Sequence, residues 1–281
     1  MHSMQMNQLQ INARRAAVDV AERIGGIHFG GILSVIDVLL AYYSVARERL
    51  VLLGDASIME SFYLGEANPL CVDLVLSKGH CYLAQLIALD AVFGRADYTE
   101  SYMTSIGRCG HPKRDERNFH FPVSSGALGQ GLAFAVGLAM AERRASAPRR
   151  VFVVTGDGEL NEGAAVEAIR LAAYFRLPIS IAVDDNDQIS LGRNLLGIRN
   201  YDAFAQSIGV CSEELNGNDY ESCVAMSEAL FDGPDLPARL VRLITVKGAG
   251  IPFMEREPKW HHRRLSGDEL VEARTLLEIH K

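Results

Sequence analysis

The sequence has no run of basic residues, no C-x-x-C pair, and polar first residues that resemble no signal peptide. Acidic residues outnumber basic ones by 35 to 28, so the formal charge is −7, and neither nucleic acid nor an anionic membrane is a favourable partner. The longest apolar stretch, about residues 32–43, is short and contains Asp37, so we expect no membrane-spanning helix. An odd number of scattered cysteines is typical of reduced thiols in a cytoplasmic protein: Cys71, Cys81, Cys109, Cys211 and Cys223.

Two common phosphate-binding signatures are also missing. The chain has no Gly-Lys-Ser/Thr sequence to form a P-loop, and the glycines of GDGELNEG, residues 156–163, lack the G-x-G-x-x-G spacing of a dinucleotide fold. Neither an internal repeat nor a low-complexity segment divides the chain. Its 281 residues, of which 48% are hydrophobic, are enough for one large α/β domain spanning residues 1–281.

What the chain does have is a strand–helix–strand pattern over residues 150–192. An apolar run ends in Gly156-Asp157-Gly158, a helical pattern follows, and a second apolar run ends in Asp184-Asp185-Asn186. This pattern indicates a βαβ unit, whose right-handed crossover leaves its two strands parallel. Both polar clusters therefore emerge at the carboxyl edge of one sheet, where open α/β folds bind ligands.

Asp157 and Asn186 are expected to share one small, hard ion at this edge. The carbonyl of Gln188 adds a third oxygen, and three such oxygens suit Mg²⁺, which keeps water and substrate phosphates in its other positions. The helix that begins after Gly158 attracts anions to its N-terminus. The pattern therefore favours a diphosphate as the ligand.

The GDG turn and the asparagine about thirty residues after it resemble the diphosphate-binding motif of thiamine diphosphate enzymes. Further segments resemble transketolases in particular: GGIHFGGILS (25–34), LSKGH (76–80), GHP (110–112), SSGALGQG (124–131) and TVKGAG (245–250) followed by WH (260–261). The resemblance covers nearly the whole chain. It implies an α/β fold of the thiamine diphosphate-binding type, with a central, mostly parallel sheet and helices on both faces.

The resemblance also implies roles for individual residues. Three histidines are expected to contact substrate and shuttle protons, as groups that titrate near neutrality can: His28, His111 and His261. The implied cofactor contacts are His80, Gly126, Ala127, Leu128, Gly156, Gly158, Asn186 and Lys247, and the implied metal ligands are Asp157, Asn186 and Gln188. Glu162 and Glu167, counted with the cofactor site, are implied to join a carboxylate network across a dimer interface.

Several positions depart from the family pattern. Phe29 replaces a proline, and His262-Arg263-Arg264 replaces a segment that begins with glycine. After Asn186 the register shifts, so either Ile189 or Ser190 faces the thiazolium ring. Charged residues dominate 113–121, for which we predict a surface loop that gives His120 no role. Small residues four apart on one predicted helix face permit close helix approach: Gly129, Ala133, Gly137 and Ala141.

Only the amino-terminal half of a full transketolase is represented. We see no second α/β block for the pyrimidine ring and no sugar-phosphate arginines. A split transketolase is therefore implied, in which a partner subunit carries the pyrimidine-binding domain and an α₂β₂ heterotetramer forms. The implied reaction is thiamine diphosphate- and Mg²⁺-dependent transfer of a two-carbon ketol unit from a ketose or ketose phosphate to an aldehyde, with the cofactor performing the difficult chemistry.

Three alternatives stay open at this point. One is a transketolase-like subunit that acts on a specialised biosynthetic ketose or ketoacid. Another is the α subunit of a 2-oxo acid dehydrogenase, which shares GDG and the asparagine but not SKGH, GHP and WH together. The third is a non-catalytic scaffold that retains the fold, against which the intact Asp157, Asn186, His80 and Lys247 argue.

Overall fold

A parallel five-stranded sheet forms the centre of the molecule. The computed structural model describes residues 6–104, 111–115, 117–190, 192–233 and 237–279. The sheet has the strand order β1-β2-β3-β7-β6, with every neighbouring pair parallel. Its strands are β1 (Val72–Leu76), β2 (Arg150–Gly156), β3 (Ile179–Asp185), β6 (Cys211–Asn216) and β7 (Arg239–Ile244). A separate small hairpin pairs β4 (Gln188–Ile189) with β5 (Gly192–Arg193).

Helices cover both faces of the sheet, as a buried parallel sheet requires. They are α1 (Gln8–Ile24), α2 (Phe29–Leu52), α3 (Ala56–Tyr63), α4 (Tyr82–Phe93), α5 (Asp97–Thr104), α6 (Gln130–Glu142), α7 (Gly163–Tyr174), α8 (Tyr201–Ser207), α9 (Tyr220–Asp232) and α10 (Gly267–Ile279). Alternate residues of β2 belong to two hydrophobic cores, one on each face of the sheet. Phe152 and Val154 pack with α2, and Val151 and Val153 pack with α6 and α7. This alternation follows from the two-residue period of a strand.

The predicted βαβ unit is confirmed. β2 pairs in parallel with β3, and Gly156 lies opposite Asp184 in the register. Asp157 and Asn186, which follow these two strands, therefore emerge at the same edge of the sheet. The turn after β2 is a short 3₁₀ segment, Asp157–Asn161, and the α-helix of the unit begins only at Gly163.

α2 is longer than the apolar stretch in the sequence suggested. Its 24 residues are long and apolar enough to cross a membrane, but 94% of its most apolar window is buried inside the protein. Its one acidic core residue, Asp37, is held by the guanidinium of Arg14 through bonds of 2.8 and 2.7 Å. Because a buried charge needs such a partner, this pair explains how an aspartate is tolerated in a core helix.

Residues 113–121 do not form the fully exposed loop that the sequence predicted. Residues 113–115 are exposed, but His120 is only 4% exposed. The Nε2 atom of His120 lies 2.8 Å from the carbonyl oxygen of Phe62. Burial lowers the pKa of His120 to about 4. The prediction was wrong because the aromatic residues Phe119 and Phe121 carry this end of the segment inward.

The stripe of small residues on α6 is only partly covered within the chain. Gly129 precedes the helix with a φ of +76°, and a Cβ placed there would lie 3.3 Å from the Cβ of Ala165 in α7. A Cβ at Gly137 would meet nothing within 4 Å. The amino-terminal end of the stripe therefore packs against α7, whereas Gly137 faces open space. Of the cysteines, Cys71, Cys81, Cys211 and Cys223 are free thiols, and Cys109 lies outside the described residues.

Candidate functional site

A cavity of about 320 Å³ opens at the carboxyl ends of β1, β2 and β3. This volume is within the usual range for small-molecule sites. Among the residues predicted for the site, those that line the cavity are His28, His80, His111, Leu128, Gly156, Asp157, Gly158, Asn186, Gln188, Lys247 and His261. The structure therefore gathers residues from separate sequence segments around one space.

The turn after β2 is held by a buried carboxylate to which we gave no role from the sequence. Glu159 is 2% exposed and lines the cavity. Its Oε1 accepts hydrogen bonds from Ser77 Oγ and Gly129 N, both at 3.0 Å. Its Oε2 accepts from Thr155 Oγ1 at 2.6 Å and from Gly156 N at 3.0 Å. This one side chain thus joins the ends of β1 and β2 to the start of α6.

Asp157 lies at the centre of the turn and is nearly buried. Burial raises the pKa of its carboxyl group to about 6, and the charge of Asp184 acts in the same direction. Asn194 opposes the shift by donating its Nδ2 to Asp157 Oδ2 at 3.0 Å. A carboxylate that is costly to keep charged in this setting gains from a nearby cation.

The two other predicted metal ligands follow β3. Asn186 is 9% exposed, and its Oδ1 accepts a hydrogen bond from the backbone nitrogen of Gln188 at 3.1 Å. The side chain of Gln188 donates its Nε2 to the carbonyl of Arg256 at 2.7 Å. The described residues contain no cluster of three or more His, Cys, Asp or Glu residues able to hold a metal. One carboxylate and two neutral oxygens suit a cation that also keeps water and phosphate ligands.

A buried ion pair joins one lining residue of the cavity, Lys78, to Asp184 behind it. Lys78 Nζ donates to Asp184 Oδ2, and the two side chains are 5% and 0% exposed. Ser34 Oγ donates to the same carboxylate at 2.6 Å, and Thr245 Oγ1 donates to its other oxygen. Burial alone would lower the pKa of Lys78, but the charge of Asp184 outweighs it and raises the pKa. Lys78 therefore stays cationic.

Lys247 enters the cavity from the loop after β7. Its Nζ donates to the carbonyl of Ile189 at 2.8 Å. Burial lowers the pKa of Lys247 to about 8, and the positive charge of Lys78 contributes. Two lysines that line the cavity beside the GDG turn make this part of the cavity attractive to an anion.

A cluster of histidines also lines the cavity. The ring of His28 lies 5.5 Å from His80, 6.2 Å from His111 and 5.5 Å from His261, measured between centroids. Burial is the main cause that lowers the pKa of His28 to about 3 and of His261 to about 4, and it holds the pKa of His80 well below its usual value. These three rings are uncharged at neutral pH. The expected role of His28 and His261 in proton transfer stays a prediction, and in the free chain burial keeps the pKa of both rings below neutrality.

The segment that departs from the family pattern lies at the rim of the cavity. The ring of His262 is 4.5 Å from that of His28. Ile27 and Arg263 form an isolated antiparallel bridge, and the guanidinium of Arg263 lies 4.3 Å above the ring of Trp260. Phe29, the other departure, is fully buried against Trp260. The rim is thus a packed structure that brings an additional imidazole beside His28.

Four predicted site residues do not line the cavity. Gly126 lies beside it, because a Cβ there would be 3.7 Å from Cδ2 of His111. Ala127 is exposed next to Gly126. Glu162 and Glu167 are exposed on the outer side of the βαβ unit, and Glu167 lies near Leu171 and Tyr174 in a surface depression. Their predicted roles stay predictions, since this chain alone does not bring them to the cavity.

The structure brings to the cavity both residues that were predicted as alternatives to face a thiazolium ring. Ile189 and Ser190 both line the cavity. Cγ2 of Ile189 would lie 3.1 Å from a Cβ at Gly158, so the absence of a side chain at Gly158 lets the β4–β5 hairpin approach the turn.

Residues 73–281 match the family described as "Transketolase, thiamine diphosphate binding domain". The chain belongs to the transketolase family. It is 32% identical over 267 residues to an apulose-4-phosphate transketolase subunit from Actinobacillus succinogenes, covering 92% of this chain and 90% of that protein. A 6-deoxy-6-sulfo-D-fructose transketolase subunit from Clostridium is 26% identical, with 90% and 89% covered.

Solved transketolases share the fold. The enzyme from Pichia stipitis superimposes with a TM-score of 0.77 at 22% identity, covering 96% of this chain and 40% of that one. The enzyme from Campylobacter jejuni gives 0.74 at 24% identity, with 97% and 43% covered. The chain therefore spans about two fifths of the length of these two transketolases, and the α/β fold expected from the sequence is confirmed.

Sequence reasoning missed the buried polar residues that support the site. Glu159 follows the GDG turn directly and Asp184 opens the second polar cluster, so both stood inside segments already singled out. Asn194 lies beyond them, in a stretch with no motif. Only the fold reveals that its amide reaches Asp157.

Proposed function

We propose that this chain is the thiamine diphosphate-binding subunit of a two-component transketolase, which transfers a two-carbon ketol unit from a ketose to an aldehyde in a Mg²⁺-dependent reaction. The observation that carries the proposal is the convergence of Asp157, Asn186, His80 and Lys247 with three further histidines on one cavity. The two relatives named above are transketolase subunits of similar length. Their names support a partner subunit for this chain and a specialised sugar as the donor.

The residues fit the diphosphate end of the cofactor and its magnesium ion. Asp157, Asn186 and the carbonyl of Gln188 would hold the ion, with Lys247 and His80 beside the diphosphate. Two buried atoms of residues that line the cavity, Gln188 Oε1 and His261 Nδ1, have no hydrogen-bond partner among the described residues. Buried polar atoms normally have partners, so a polar ligand is the natural complement to this cavity.

Bound thiamine diphosphate supplies the nucleophilic carbon and the electron sink that ketol transfer requires. The protein side chains bind and orient the substrate. His28, His111 and His261 present ring nitrogens that can donate to, or accept from, sugar hydroxyls. The depressed pKa values of His28 and His261 make them weak proton acceptors in the free protein, so hydrogen bonding is their first role. Lys78 stays cationic in its ion pair with Asp184 and lies beside the part of the cavity that would hold the diphosphate.

A partner subunit completes the site in this proposal. The two relatives named as transketolase subunits have a similar length to this chain, so we propose that the pyrimidine-binding domain comes from a second polypeptide in an α₂β₂ assembly. The partner also contributes to substrate choice. We propose a ketose or ketose phosphate as donor, with apulose 4-phosphate and 6-deoxy-6-sulfo-D-fructose as the first compounds to test, because relatives are named for them.

Thermal melting with and without the partner subunit tests the proposal. Thiamine diphosphate with Mg²⁺ is expected to raise the Tm, most clearly in the assembled complex, because a ligand that binds only the folded state stabilises it. The variant Asp157→Ala is the control and is expected to lose the shift. A complex that melts at the same temperature with and without the ligands would favour a non-catalytic scaffold. Decarboxylation of a 2-oxo acid without ketol transfer would favour the dehydrogenase-type alternative.

A further inference from the structure

We propose that Asn194 is a positioning residue for the metal site, because its buried amide fixes Asp157 against the hairpin that carries Gln188. Through this contact Asn194 sets the affinity of the site for a divalent cation. The inference rests on the proposed function, since the cation is the one that would accompany the cofactor diphosphate.

The side chain of Asn194 is buried and fully engaged. The residue is 1% exposed. Its Nδ2 donates to Asp157 Oδ2 at 3.0 Å, and its Oδ1 accepts from Asn161 Nδ2 at 3.0 Å. Asn194 therefore contacts both ends of the short 3₁₀ segment that contains Asp157.

The backbone around Asn194 is fixed as well. Its nitrogen donates to the carbonyl of Asp187 at 2.9 Å, and its carbonyl accepts a hydrogen bond from Arg199 Nη2. A Cβ at Gly197 would lie 2.9 Å from Asn194 Nδ2, so the lack of a side chain there makes room for the amide. Side chain and backbone are both held, which leaves the amide few alternative orientations.

Because of its position in the chain, Asn194 connects two segments that carry predicted metal ligands. It follows β5 directly, and β5 pairs with β4, which begins with Gln188. Asp187, to which Asn194 bonds, lies between the predicted ligands Asn186 and Gln188. One residue thus ties the segment with two predicted ligands to the third, Asp157.

Partners that orient a metal ligand affect metal affinity by about 10- to 100-fold when removed. The test is a titration of Mn²⁺, followed by electron paramagnetic resonance, on the complex with the partner subunit, with thiamine diphosphate at a saturating concentration. Asn194→Ala is expected to raise the Kd for Mn²⁺ by about 10- to 100-fold. Asn161→Ala is the matched control, because it removes the bond to Asn194 Oδ1 and leaves the Asp157 bond in place. It is expected to change the Kd less than about 3-fold.

A second readout separates metal affinity from a general folding defect. At saturating Mn²⁺, thiamine diphosphate is expected to bind Asn194→Ala as tightly as the unmodified complex. If Asn194→Ala does not fold, Asn194→Ser serves in its place. An unchanged Kd for Mn²⁺, or an equal loss in Asn161→Ala, would overturn the role of Asn194. An unmodified complex that binds neither Mn²⁺ nor thiamine diphosphate would instead overturn the proposed function.

Discussion

Replacing Glu159 by glutamine tests whether this carboxylate holds together the turn Gly156-Asp157-Gly158. Each of its two oxygens accepts one hydroxyl and one backbone N–H. In Glu159→Gln an –NH₂ group replaces one oxygen. The facing hydroxyl, of Ser77 or Thr155, can rotate and accept a hydrogen bond. The facing backbone N–H, of Gly129 or Gly156, cannot.

The expected loss follows from these contacts. One buried backbone N–H without a partner costs about 1–3 kcal/mol, and the remaining bonds change from charge-assisted to neutral, which weakens them further. We therefore expect Glu159→Gln to lower the free energy of unfolding by about 2–4 kcal/mol. For a domain of 281 residues, this corresponds to a fall in Tm of about 3–7 °C.

Differential scanning calorimetry of the chain without ligands measures this effect. Glu162→Gln is the matched control, because Glu162 is exposed and lies three residues further along the same turn. It is expected to change the free energy of unfolding by less than about 0.5 kcal/mol. If Glu159→Gln has the same Tm as Glu162→Gln, the hydrogen bonds at Glu159 do not stabilise the turn.

Three further predictions concern buried charges and cavity walls. Lys78→Met leaves the buried charge of Asp184 without its cationic partner and is expected to lower the free energy of unfolding by about 3–5 kcal/mol. Adding Asp184→Asn to this variant is expected to recover much of the loss, as measured by thermal melting. His120, whose folded pKa is lowered to about 4 from 6.5, contributes stability that is present above pH 6.5 and is lost as the pH falls towards 4. The loss by pH 4 is about 3 kcal/mol, and His120→Gln should flatten that part of a stability–pH profile. A Cβ at Gly31 would lie 2.7 Å from Sγ of Cys81 and 3.0 Å from Nε2 of His80, so Gly31→Ala is expected to displace the short 3₁₀ turn Gly79–Cys81 that carries both side chains and to weaken thiamine diphosphate binding in calorimetric titrations. Unchanged binding would mean that the position of this turn does not matter to the ligand.

The sheet and its functional edge could be predicted because the signals are local. Two apolar runs with polar ends were enough to place Asp157 and Asn186 on adjacent parallel strands. The roles of the histidines came from resemblance, since no local pattern states that His28, His111 and His261 meet. Their meeting depends on loops that are far apart in the chain. The sequence alone could not show how burial shifts the pKa of His28.

The supporting polar residues were harder to foresee for the same reason. Asn194 reaches Asp157 across 37 positions, and Ser34 reaches Asp184 across 150. Such contacts arise from tertiary packing and leave no periodic trace in the sequence. α2 was underestimated because Asp37 interrupts its apolar run. In the structure, Arg14 in another helix pairs with Asp37, so the charge of Asp37 is tolerated inside the core.

In the proposed site, a divalent cation is held between Asp157 and Asn186 at the end of two parallel strands. Anomalous diffraction from crystals of the complex with the partner subunit, grown with thiamine diphosphate and Mn²⁺, locates such an ion. We expect one strong anomalous peak within coordination distance of an oxygen of each of these two side chains and of the Gln188 carbonyl. A diphosphate bound in the cavity with no peak there, or a peak held by other residues, would contradict the proposed site.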